Sequence, residues 1–189
     1  FWNIENNYFL KLAKRTVLAF GVNLAMYQDI SRKNDPDNHV LPPSERLGLE
    51  GARVVRGFQE NSLGPRLRFL PGEDGETVPD RPTQGSHLAL FHLELRKQLI
   101  PETMGMSYFV DSGSIFFGEK ELEGFNQSES FLIDNEPYTL DSLIRNPHYL
   151  WHKNYVSHGI ALSYLTPIGS VNLAYGLPLK RCASSATSC

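Results

Sequence analysis

Three ionisable residues, His92, Glu94 and Arg96, alternate with apolar residues in the stretch HLALFHLELRKQLI. Residues two apart share one face of a β-strand, so the three side chains are expected to point to the same side. A histidine next to a glutamate can transfer protons in acid–base catalysis. However, the sequence contains no Gly-x-Ser-x-Gly nucleophile elbow. We therefore interpret the three residues as the polar lining of a hydrated interior and predict no catalytic residues.

A second pair of opposite charges lies in two short motifs. Arg56 belongs to the tetrad VRGF at residues 55–58, inside the long polar stretch 42–65, which has neither helical nor strand periodicity. Asp111 lies in FVDSG at residues 109–113, within a strand-like stretch. A glycine allows close backbone approach and a phenylalanine offers a large apolar surface, so the tetrad is suited to docking. Two interpretations remain open: unrelated charges, one of them solvated on a loop, or an ion pair joining loop and sheet.

These motifs resemble those of the outer-membrane assembly superfamily that includes BamA and TamA. In that family a (V/I)RG(F/Y) tetrad on the sixth extracellular loop folds back into the barrel lumen and contacts an FxDxG motif on a late strand. The stretch TPIGSVNLAYGLPL at residues 166–179 is similar to a further family pattern, SPIGPLxLxYxxPL. The resemblance covers roughly residues 10–179. It implies a tether between loop and lumen formed by Val55, Arg56, Gly57, Phe58, Phe109, Asp111 and Gly113.

Six stretches show the period-two alternation of β-strands, at residues 1–12, 16–28, 87–100, 104–117, 155–165 and 170–179. In the clearest of them, 16–28, one face carries bulky apolar residues: Leu18, Phe20, Val22, Leu24 and Met26. The opposite face carries small or polar residues: Ala19, Gly21, Asn23 and Ala25. This pattern is typical of a barrel wall between lipid and an aqueous lumen. By the same parity, Asp111 points to the lumen.

The predicted fold is all-β: the C-terminal part of an antiparallel transmembrane β-barrel, with about six of the sixteen strands that the resemblance implies. An open sheet cannot stand in lipid, because its unpaired edge groups cost several kcal/mol each. We therefore expect the other strands, and the periplasmic POTRA repeats of the family, to lie in a longer protein. The expected division is a barrel part at 1–179, with a long extracellular loop at 29–85 carrying VRGF, and a Ser/Cys-containing tail at 180–189.

Composition excludes several other classes of protein. The chain has 189 residues and a net charge of -3, and it lacks the run of about 18 apolar residues that a membrane-spanning helix needs. Without a long basic run, nucleic acid is not an expected partner. The two cysteines, Cys182 and Cys189, fit no zinc spacing, and both a disulfide and two free thiols remain open. No metal and no cofactor are expected.

The resemblance implies a function without a chemical step, the insertion and folding of β-barrel proteins in the outer membrane. The expected partners are outer-membrane lipid, unfolded β-barrel clients, and accessory lipoproteins or periplasmic proteins. Three alternatives remain. The first is a two-partner-type secretion pore of the same superfamily, and the second is a barrel that anchors a surface hydrolase. The third, from a different class, is a soluble ligand-binding β-barrel.

Overall fold

The computed structural model of the chain describes residues 1–27, 46–49, 54–59, 62–69, 81–118, 131–133 and 154–179. Its regular structure in these ranges consists of nine strands: β1 (Trp2–Ala13), β2 (Thr16–Met26), β3 (Arg66–Phe69), β4 (Arg81–Pro82), β5 (His87–Ile100), β6 (Met104–Phe116), β7 (Phe131–Ile133), β8 (Tyr155–Thr166) and β9 (Gly169–Pro178). Within the same ranges, no helix is long and apolar enough to cross a membrane.

The six long strands form one sheet in the order β1-β2-β5-β6-β8-β9. Every neighbouring pair is antiparallel. The prediction of an all-β fold with six antiparallel strands is confirmed, and the strand ends differ from the predicted ones by at most two residues. Short turns join β1 to β2, β5 to β6 and β8 to β9. The turns therefore lie at one end of the sheet and the long connections at the other.

The register aligns residues that point to the same face into rows that cross the sheet. One row consists of Asn7, Gly21, His92, Asp111 and Ser157. The neighbouring row on the same face consists of Phe9, Ala19, Glu94, Phe109, Gly159 and Gly176. Because a slip of one residue would move a whole strand's side chains to the opposite face, this register fixes which residues can form a common site.

The two faces of the sheet differ in the size and exposure of their side chains. The face that carries Asp111, which we call the inner face, is lined by small residues such as Ala19 and Ala25, which are buried. The opposite, outer face carries large apolar residues that are exposed, among them Phe20 and Leu24. This arrangement reverses that of a water-soluble sheet and agrees with the alternation expected of a barrel wall.

A small apolar core lies between the inner face and the connection from β2 to β5. It consists of the buried side chains Leu49, Val55, Leu63, Leu90 and Ile115. The first three belong to the connection and the other two to β5 and β6. The connection therefore packs against the inner face, close to the end where β5 begins and β6 ends.

The two long connections contain strands that the sequence pattern does not predict. Within the expected loop 29–85 and the connection between β6 and β8, the strands β3, β4 and β7 form a three-stranded sheet in the order β4-β3-β7. Leu67, Arg68 and Phe69 of β3 pair with residues of β7, the register partner of Leu67 being Ile133. Such short strands depend on pairing between segments distant in sequence, so no local periodicity marks them.

Substitution by arginine at two adjacent positions of β2 tests the assignment of the faces. Val22 shares the outer parity and Asn23 the inner parity. We expect Val22→Arg in the full-length protein to reduce membrane integration strongly, because an arginine on the lipid face costs about 2–4 kcal/mol near the midplane. Asn23→Arg, the matched control, should integrate almost normally. The measurement is the fraction of protein that resists extraction of membranes with urea, and equal losses for both variants would show that the faces are wrongly assigned.

Candidate functional site: the contact between loop and sheet

Arg56 and Asp111 form the centre of the contact. The guanidinium of Arg56 donates from Nε to Oδ2 of Asp111 at 2.6 Å and from Nη2 to Oδ1 at 2.8 Å. The backbone N–H of Arg56 donates to Oδ2 as well, at 3.2 Å. Asp111 is 0% exposed, whereas the Arg56 side chain is 22% exposed. Bidentate, charge-assisted hydrogen bonds of this kind are among the strongest in proteins and also fix the orientation of both groups.

Phe109 provides a second surface for the same guanidinium. The Cζ atom of Arg56 lies 3.5 Å from the centroid of the Phe109 ring. Phe109 precedes Asp111 by two residues, so both side chains project from the inner face of β6. A planar guanidinium can stack on an aromatic ring and still direct its donors at a carboxylate, which an ammonium group cannot do equally well. The site is therefore built for arginine rather than for a positive charge in general.

The predicted lining residues His92 and Glu94 adjoin this ion pair. Nδ1 of His92 lies 3.1 Å from Oδ1 of Asp111. Glu94 lies 3.7 Å from Nη2 of Arg56 and accepts a hydrogen bond from Arg96 at 3.2 Å. Arg96 itself is 53% exposed and lies at the margin. The cluster has two arginines and two carboxylates, which form a network of opposite charges.

Val55 occupies a space that exists because residue 113 is a glycine. A Cβ atom at Gly113 would lie 2.6 Å from Cγ2 of Val55, and 3.1 Å from a methyl carbon of both Leu49 and Leu90. Val55 is completely buried. Alternate residues of FVDSG thus make different contacts. Phe109 stacks on the guanidinium of Arg56, Asp111 binds it, and Gly113 leaves room for Val55, the residue before Arg56.

Gly57 and Phe58 extend the contact beyond β6. Gly57 has a φ angle of 95°, in the region that favours glycine. Its backbone lies against β9, where a Cβ at Gly57 would be 2.7 Å from the carbonyl carbon of Gly176. The Phe58 ring packs edge-on against Tyr155, with 5.8 Å between centroids. The hydroxyl of Tyr155 also donates to the carbonyl oxygen of Gly64 at 3.1 Å.

The sequence pattern identifies Gly159 and Gly176 only as small inner-face residues. In the sheet, Gly159 pairs with Phe109 on one side and with Gly176 on the other. A Cβ at Gly159 would lie 2.7 Å from Cζ of Phe109. The two glycines thus provide space for the phenylalanine ring and for the loop. The sequence shows that these inner-face positions are glycines, but which residues lie opposite them depends on the register between β6, β8 and β9.

The structure therefore brings together all seven residues of the expected tether, with His92 and Glu94 beside them and Arg96 at the edge. No group of three His, Cys, Asp or Glu side chains suited to a metal ion occurs in the part of the chain that the structure describes. Cys182, Cys189 and the rest of the tail 180–189 lie outside the described residues. The contacts consist of complementary charges, a stacked ring and fitted glycines, and contacts of this kind can hold a loop on a sheet.

An antiparallel sheet with an apolar outer face and a loop docked on its inner face defines a fragment of an outer-membrane β-barrel. The protein-family model described as "Omp85 superfamily domain" matches residues 2–188 of the chain. The chain belongs to this superfamily and is an outer-membrane β-barrel protein. The matched stretch is longer than residues 10–179, in which the sequence motifs were found.

Two relatives illustrate the membership. The chain is 24% identical over 179 residues to the outer membrane protein assembly factor BamA of Neisseria meningitidis serogroup B, covering 94% of this chain and 21% of that protein. It is also similar to the crystal structure of BamA from Haemophilus ducreyi lacking POTRA domains 1-3, with a TM-score of 0.64 and 23% identity over 96% of this chain and 31% of the other. The chain thus spans about a fifth of the curated relative and about a third of the solved one.

Removal of the buried carboxylate should weaken the docked state of the loop. Breaking a buried ion pair on one side costs about 3–5 kcal/mol, and the partial exposure of Arg56 places this pair near the lower end. We expect Asp111→Ala in the full-length protein to lower the temperature at which heat-modifiable mobility is lost. The double variant Arg56→Asp/Asp111→Arg should recover part of that loss. Arg96→Ala serves as the control, and an equal loss in the control would contradict a specific role of the Arg56–Asp111 pair.

A methyl group at position 113 should displace Val55. We expect Gly113→Ala to destabilise the docked loop by about 1–3 kcal/mol, the usual cost of overpacking. Adding Val55→Ala removes the methyl carbon that would lie closest, so the double variant should be more stable than Gly113→Ala alone. Thermal unfolding of the full-length protein in detergent measures both effects. A double variant less stable than either single variant would exclude this steric explanation.

Proposed function

We propose that the chain is the C-terminal barrel part of an outer-membrane protein assembly factor, which inserts and folds other β-barrel proteins in the outer membrane. The docked tetrad carries the proposal, because the motifs that meet in this buried ion pair are the ones that resemble those of the family of BamA and TamA. The match to a protein described as an outer membrane protein assembly factor supports it.

The physical task of such a factor is to supply backbone partners to strands that enter lipid. Each unpaired N–H or C=O group in hydrocarbon costs several kcal/mol, so a client strand needs a partner before it leaves water. A barrel that offers one of its strands for this purpose has to open part of its own wall. An internal anchor keeps the remaining wall folded meanwhile, and the Arg56–Asp111 contact is suited to that role.

The other parts of the proposal follow from this role. Residues 1–179 form the barrel part, and the polar inner face lined by His92, Glu94 and Arg96 borders the aqueous lumen. The partners are outer-membrane lipid, unfolded β-barrel clients, and accessory lipoproteins or periplasmic proteins. The mechanism requires no cofactor, because its free energy comes from client folding and burial of apolar surface in lipid.

Reconstitution tests the activity directly. Liposomes containing the purified full-length protein should fold an unfolded outer-membrane β-barrel client faster than liposomes without it, measured by the heat-modifiable mobility of the client. Asp111→Ala should reduce the acceleration several-fold, while Arg96→Ala should retain most of it. A loss of about 1.4 kcal/mol in the free energy of docking lowers the ratio of docked to undocked loop tenfold.

Two outcomes would overturn the proposal. The first is a client folding rate equal to that of protein-free liposomes, at a protein density where the barrel itself is folded. The second is passage of an unfolded passenger protein through the membrane without folding of the β-barrel client, which is the behaviour of a secretion pore.

A further inference from the structure

The loop contacts two strands that are not neighbours. Arg56 binds Asp111 on β6, whereas the next residue, Gly57, lies against Gly176 on β9. The strand β8 lies between them in the sheet. Among the described strands β9 pairs with β8 alone, so it has one free edge in this part of the chain. A single turn of the loop therefore bridges the sheet from β6 to β9.

We propose that Gly176 is a positioning residue for the loop: its contact with Gly57 fixes β9 relative to β6, so that undocking of the loop and displacement of β9 are coupled. The contact itself is independent of the proposed function. Its consequence for client assembly rests on that function, because only there does the position of β9 in the wall matter for activity.

The geometry of the contact leaves no room for a side chain on either partner. A Cβ at Gly176 would lie 2.8 Å from the backbone nitrogen of Gly57, 2.9 Å from its Cα and 2.9 Å from the carbonyl carbon of Arg56. All three are backbone atoms, which cannot move away by a change of rotamer. A side chain at this position must therefore push the loop backbone away from the sheet.

Gly105 shows what a less restrictive inner-face glycine looks like. A Cβ there would lie 2.8 Å from Oγ of Ser163, which can rotate, and its next neighbour is 3.7 Å away. Ala174, two residues before Gly176 on the same face of β9, already carries a Cβ and is exposed. A tight contact is thus not shared by every inner-face position, and at position 176 the atoms in contact belong to the backbone of the loop.

The coupling to the ion pair follows from the sequence adjacency of Arg56 and Gly57. A displacement of the Gly57 backbone by about 1 Å also moves Arg56, whose backbone N–H and guanidinium both bind Asp111. The N–H···O hydrogen bonds of proteins have lengths of about 2.7–3.2 Å, and the bond from the backbone N–H of Arg56 is already at 3.2 Å. Substitution at Gly176 should consequently loosen a contact two strands away without changing any residue of the ion pair.

Site-specific proteolysis of the full-length protein in detergent micelles tests the inference. In the docked loop, the bond between Arg56 and Gly57 lies against β9, so trypsin can cleave it only after the loop opens. The rate of cleavage of this bond is measured by mass spectrometry. We expect Gly176→Val to increase this rate by about tenfold or more, because cleavage tracks the population of the open state. Gly176→Ala should give a smaller increase. Ala174→Val, which enlarges a side chain on the same strand and face, should leave the rate unchanged.

Heat-modifiable mobility shows whether each barrel is folded, and the Gly176→Ala variant decides the test if Gly176→Val does not fold. Cleavage unchanged by both substitutions would overturn the inference, as would an equal increase in Ala174→Val. Client folding in liposomes is measured on the same variants. Faster cleavage with unchanged client folding would leave the positioning role intact and would count against a role of the docked loop in client folding, whereas a rate equal to that of protein-free liposomes in the unsubstituted protein would count against the proposed function.

Discussion

The structure depends on the burial of one carboxylate. Asp111 is completely shielded from water in the middle of β6, and a buried carboxylate without a partner is strongly destabilising. Its partner comes from a segment 55 residues earlier in the chain. The docking of the loop and the compensation of this charge are therefore one event. The ring of Phe109 and the space at Gly113 bring the arginine to the geometry in which both carboxylate oxygens are bound.

The arrangement of side chains on the sheet serves the same contact. Large apolar residues occupy the outer face, and the inner face keeps small residues where the loop lies. In a water-soluble sheet the bulky residues would fill that space and the loop could not approach. A barrel wall does not need bulky residues inside, because lipid contacts stabilise the outside. Because the apolar side chains face lipid, the inner face can keep small residues, and these leave room for the docked loop.

The sequence predicts the sheet well because each strand carries its own signal. Alternation assigns the residues of β2, β5 and β6 to their faces, and the inner parity of Asp111 follows from it. The proximity of Arg56 to Asp111 is different, since the residue types alone favoured unrelated, solvated charges and the resemblance to a family was needed. The approach of Glu94 to the same guanidinium depends on side-chain directions in three dimensions, which periodicity does not contain.

Contacts that depend on register or on distant pairing were not predictable. Gly159 and Gly176 look alike in the sequence, yet one makes room for an aromatic ring and the other for a loop backbone. The difference arises from the residues that face them across β6, β8 and β9. The strands β3 and β7 have only four and three residues, and their stability depends on pairing with each other. A pattern with a window of a few residues carries no information about such partners.

The pairing of β3 with β7 joins the two long connections, and this has a consequence for the free energy of loop docking. Closing a loop costs entropy that rises with its number of free residues, so holding β3 against a second segment leaves fewer free residues between that point and Arg56 and lowers the entropy cost of docking. The connection between β6 and β8 therefore holds part of the connection between β2 and β5 in place by backbone pairing. Sequence changes that weaken the backbone pairing at Leu132 are therefore expected to weaken the docking of the arginine as well.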